Sequence, residues 1–135
     1  MITITAEDFK KIKGIDLIEE LKSYGVGEES MVEITLNNWT KTVYNHIRSK
    51  SRRPMPKDSN LSALQLETLK EVICDVGIYA MNVGEPISYG NEDEQGRLRS
   101  SVPHESTEKL KNCGLIRTTF SGWWWCYARY LSQTR

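Results

Sequence analysis

Two apolar stripes with helical spacing dominate this chain and restrict it to folds in which long helices pack on each other. Val32, Leu36, Trp39, Val43 and Ile47 step by four, three, four and four residues, which keeps them on one face of a helix running from about Glu28 to Lys50. Glu28, Glu29 and Glu33 at its start and His46, Arg48 and Lys50 at its end suit the helix macrodipole, and Pro54 and Pro56 stop it. Leu66, Leu69, Val72, Ile73, Val76, Ala80 and Val83 trace the second stripe, ended by a C′ glycine at Gly84 and by Pro86. Asp58, Ser59 or Asn60 is expected to cap this second helix. Neither helix can bury its stripe alone, so the two are expected to pair across the proline-bearing loop.

The flanking segments are shorter and more mixed. Thr5 and Asp8 form a capping-box pattern for a helix starting at Ala6, Gly14 and Asp16 divide that region in two, and Gly25 and Gly27 end it. Ile87 to Tyr89 and Arg97 to Val102 flank a polar stretch, the pattern of a β-hairpin or an ordered loop. Pro103 to Cys113 reads as a short helix capped by Ser106 or Thr107, with Gly114 after its end. The expected class is therefore mainly α: two long antiparallel helices, a short N-terminal helical region, a small β-hairpin or ordered loop, and a C-terminal aromatic arm. Residues 1–114 form one domain, and 115–135 an arm that is not an independent domain.

At 135 residues, 39% hydrophobic and 27% charged, the chain holds a single modest core. Eighteen basic and eighteen acidic residues cancel, which removes the global field of a dedicated nucleic-acid-binding domain and leaves local patches. Cys74, Cys113 and Cys126 are an odd number at wide spacing, with no pattern of a disulfide framework or a zinc site, and reduced thiols in a cytoplasm are expected. No apolar run reaches the roughly 20 residues of a membrane span, and the first residues do not read as a signal peptide.

No catalytic signature is present. His46 and His104 have no cysteine or carboxylate at ligand spacing, and His46 reads as a surface residue at a helix end. There is no nucleophile elbow, phosphate-cradling glycine loop or zinc-protease motif, so no enzyme activity, cofactor or metal is expected. Arg48, Lys50, Arg52, Arg53 and Lys57 make the strongest positive patch, suited to neutralising phosphates or, equally, to a solvated loop at a helix C-terminus. Aromatic residues that would stack on bases are missing there. Glu85, Glu92, Asp93 and Glu94 lack calcium-loop spacing and read as a solvated tip or as an electrostatic partner for a neighbour's basic patch. A small DNA-binding regulator is the alternative function, but the loop is too long for a helix-turn-helix, and Glu67, Glu71 and Asp75 near the exposed side of the second helix would repel phosphates.

The segment Trp123, Trp124, Trp125, Cys126, Tyr127, Ala128, Arg129, Tyr130 cannot turn all its aromatics to one core as either helix or strand. Either it docks on another subunit, or it completes this domain's own core.

This order of elements resembles the helical head-to-tail connectors, or head completion adaptors, of tailed bacteriophages. The opening Ile4-Thr5-Ala6-Glu7-Asp8-Phe9-Lys10, the Tyr79 to Gly84 helix end and the Ser88-Tyr89-Gly90 hairpin carry the likeness, and the tryptophan-rich end departs from it. The resemblance implies a structural virion protein of the neck, made in the host cytoplasm. It would form a homo-oligomeric ring, a dodecamer in this family, between the portal protein and the next tail or stopper component, with non-specific contact to packaged DNA, no cofactor and no membrane. On that reading Arg48, Lys50, Arg52, Arg53 and Lys57 face DNA or portal. Trp123, Trp124, Trp125, Tyr127, Arg129 and Tyr130 meet the portal or an adjacent subunit.

Overall fold

The computed structural model describes residues 1–25, 28–51, 54–84, 86 and 102–117. Within these the chain is mainly helical: α1 (Ala6–Lys13), α2 (Leu17–Lys22), α3 (Glu29–Lys50), α4 (Ala63–Asn82) and α5 (His104–Asn112), with a 3-10 turn at Asp58–Asn60. The expected hairpin lies almost wholly outside the described residues, as does the arm from residue 118.

Local chemistry accounts for the helix ends. The Thr5 hydroxyl accepts from the Asp8 amide at 3.2 Å while the Asp8 carboxylate accepts from the Thr5 amide at 3.1 Å, so the capping box forms as its sequence predicts. Gly14 adopts φ 71°, a left-handed conformation that closes α1, and Asp16 then caps α2 by accepting from the Ile18 amide. Two expected caps are corrected. Helix α4 is capped by Ser62, in a reciprocal box with Gln65, and not by Asp58, Ser59 or Asn60. Those three residues form the 3-10 turn, and the Asp58 carboxylate accepts from the hydroxyl of the buried Tyr44 at 3.0 Å. Helix α5 begins after Pro103 with no side-chain cap, and Ser106 and Thr107 sit inside it, buried at 2% and 9% exposure.

The long helices are antiparallel. At one end the Tyr24 hydroxyl donates to the Met81 carbonyl (2.8 Å), joining the approach to α3 with the end of α4. At the other, Gln65 donates to the Cys113 carbonyl and Ser51 exchanges hydrogen bonds with Arg117, so the end of α3 and the start of α4 meet the same segment. Between them lies the fully buried Trp39. An ideal Cβ at Gly77 would stand 2.5 Å from its ring, so the missing side chain of Gly77 is what lets α4 approach the indole. Phe9 covers the ring with centroids 6.1 Å apart, and the indole N–H donates to the Pro86 carbonyl at 3.1 Å.

Asp75 is the polar counterpart of this packing. It accepts from Lys13 of α1, from Lys109 of α5 at 3.0 Å and from the Ser106 hydroxyl at 3.1 Å, tying three helices together. Burial pushes its carboxyl up, but the Lys13 and Lys109 ammonium groups outweigh that and hold it below the usual range. Asp75 therefore does not face solvent as sequence position suggested: α5 covers it, leaving 15% of the side chain exposed, and Glu71 is engaged by Lys109 at 2.8 Å. Leu115 and Ile116, read from sequence as the first residues of the arm, are buried in the core at 2% and 3% exposure.

Candidate partner-binding surfaces

Three of the five expected basic residues are described. Arg48 and Lys50 are exposed at the end of α3 and Lys57 is exposed in the following connection; Arg52 and Arg53 lie outside the described residues. Among the described residues no ion pair occupies Arg48, Lys50 or Lys57, so their charge is available to a partner. The structure also places α5 beside Lys50. His46, Lys50, Val102, His104, Thr107 and Lys111 surround an open cleft of about 340 Å³. The contribution of α5 was missed in sequence, because more than fifty positions separate Lys50 from His104 and no local pattern links them. Glu108 tempers the positive charge, lying 3.3 Å from Lys111 and 3.8 Å from His104.

His46 is half-buried rather than a free surface group. Its Nε2 lies 2.9 Å from the Thr107 hydroxyl, which itself lies within donating distance (3.3 Å) of the Pro103 carbonyl. With that hydroxyl proton directed to Pro103, the imidazole must donate through Nε2, an assignment made from the network. Burial first, and the Lys50 charge second, lower the His46 pKa from 6.5. The folded state thus binds this proton less readily than the unfolded chain. Stability is expected to fall as pH drops from about 6.5 toward the lower folded-state value. Unfolding midpoints of wild type and His46→Gln between pH 8 and pH 5 would test this: the variant should show a shallower loss across that window. Identical slopes would show that His46 does not carry the effect.

A second surface lies on the N-terminal half of α3. The extended residues 2–5 run beside it and leave an open groove of about 760 Å³, whose lining includes Ile2, Ile4, Ile18, Val32, Ile34 and Leu36. Ile34 is 52% exposed and Ile18 39% exposed, large apolar areas that face no described neighbour fully. Glu7, Glu29 and Glu33 also line it, and no lysine or arginine does. The expected interface residues Trp123, Trp124, Trp125, Tyr127, Arg129 and Tyr130 lie outside the described residues.

Among the described residues no three of His, Cys, Asp and Glu are grouped to hold a metal ion. The Cys74 thiol is buried and pushed up to about 12, which keeps it protonated and a poor nucleophile. No helix among them is long and apolar enough to cross a membrane. Comparison with known proteins finds no match to a family model, to a curated protein or to a solved structure.

Proposed function

We propose that this chain is a structural head-to-tail adaptor of a tailed bacteriophage, a ring-forming protein between portal and tail that performs no chemistry of its own. The observation carrying this reading is polarity. A rigid helical pair bears an apolar, acidic-rimmed groove on the first half of α3 and a basic surface at its far end. At 1.5 Å per residue, Glu33 and Lys50 are separated by roughly 25 Å along the helix. Unlike contact surfaces at opposite ends of one body suit heterologous assembly, which closes into rings when the rotation permits. The basic end then faces portal or packaged DNA, contacting phosphates without reading sequence.

The test is association with the portal protein of the same phage, followed by light scattering and negative-stain imaging. Rings, or portal particles carrying an added collar, are the expected result. A protein that stays monomeric and never binds portal would overturn the reading. A sequence-preferring shift of duplex DNA over competitor at physiological salt would instead favour the DNA-binding regulator.

A further inference from the structure

We infer that the groove between residues 2–5 and α3 receives the C-terminal arm of a second copy of this chain. This deepens the proposed assembly role and rests on it.

Charge supplies the first argument. Glu7, Glu29 and Glu33 line the groove, with no cation among its lining residues. Beyond Arg117 the arm carries Arg129 and Arg135 and no acidic residue. Groove and arm are complementary, which steers and registers an encounter.

Shape and hydrogen bonding supply the second. Ile34 and Ile18 are exposed beside the buried Val32, so the floor is apolar and accessible. Among the described residues the backbone amide and carbonyl of the exposed Thr3 have no hydrogen-bond partner, which leaves a short backbone edge along one wall. An incoming extended peptide can add to such an edge while alternate side chains enter the groove. Extended, the arm sequence would offer Trp123, Trp125 and Tyr127 on one side, large rigid aromatics of the kind that anchor interfaces.

Polarity supplies the third and selects a second copy over the same one. The last described residue, Arg117, is held by Ser51 at the C-terminal end of α3, whereas the groove lies against residues 29–40 at the other end. Trp123 lies six positions beyond Arg117, a reach of about 20 Å when fully extended. The groove centre near Glu33 lies roughly 27 Å along α3 from Ser51. Even fully straight, that stretch of chain would bring the leading tryptophan only to the near end of its own groove, beside Asn37 and Thr40, and not to its centre, while an adjacent copy can present the whole groove to the arm.

Full-length variants test this by complementation. A groove variant, Glu33→Lys with Ile34→Lys, changes two exposed positions; an arm variant, Arg129→Glu with Arg135→Glu, reverses the opposing charge. Each alone should lose self-association by at least about tenfold in apparent Kd, or about 1.4 kcal/mol, with unchanged helical circular dichroism. Mixed together, the two should form a heterodimer, because one retains a working arm and the other a working groove. Groove variants that assemble like wild type, or a mixture that stays monomeric, would overturn the inference. A monomeric wild type whose tryptophan emission shifts in the groove variant would place the arm in its own groove and also overturn it. If the groove variant still binds portal, the adaptor role survives whatever the fate of the groove.

Discussion

Replacing Trp39 with alanine is expected to destabilise the protein by about 3–5 kcal/mol, the largest effect of any single truncation proposed for this fold. Three interactions meet at that side chain. The indole fills the space between α3 and α4 with no exposed surface, packs on Phe9, and satisfies the Pro86 carbonyl. Its loss leaves a large void and an unpaired buried acceptor. Domains of this size have total stabilities of about 5–15 kcal/mol, so the variant should sit close to unfolding. The complementary change, Gly77→Ala, pushes a methyl group against the same ring at 2.5 Å and is expected to cost about 1–3 kcal/mol, although alanine is the better helix former. Urea unfolding followed by circular dichroism measures both. The signature is coupling: in a Trp39→Leu background, Gly77→Ala should become much less costly, since the smaller side chain leaves room for the methyl. Strictly additive losses would mean that the close approach of glycine and indole is not what limits the packing.

Removing the Asp75 carboxylate with alanine is the second large expected effect, about 1–3 kcal/mol at neutral pH. The figure is below that for a fully buried ion pair because Lys13 and Lys109 keep 22% and 39% of their side chains exposed and can recover water. The pH dependence identifies the cause. Asp75 is held below 3.8 in the folded protein, so its contribution is complete above the unfolded pKa and disappears as pH falls through the folded value. The stability gap between wild type and Asp75→Ala should hold from neutral pH down to about pH 5 and close progressively below pH 4. A gap that persists unchanged to pH 2 would assign the loss to packing instead of charge. Asp75→Asn, which keeps an acceptor for Ser106 and Lys109, should fall between the two.

The helical body could be read from the sequence wherever one local pattern carried the information. The stripe from Val32 to Ile47, the Thr5–Asp8 capping box, the break at Gly14 and Asp16, and the glycine after Asn82 are set by periodicity and backbone chemistry within a few residues. Cap choice was less legible. Several small polar residues precede α4, and which one caps depends on where the 3-10 turn places Asp58 against Tyr44. Ser106 and Thr107 have the chemistry of caps, but contact with Asp75 and His46 draws them inside the helix.

Sequence by itself thus determined which segments are helices and that the two longest must share a core, because unpaired apolar stripes cannot remain in water. Tertiary structure alone decided three matters that depend on residues distant in the chain. It set the indole of Trp39 against the bare backbone of Gly77, gathered Asp75, Lys13 and Lys109 into one linkage, and laid residues 2–5 along α3 to make the groove. No local propensity encodes these juxtapositions. They arise when three dimensions are filled at once, and they position the two surfaces on which the proposed assembly depends.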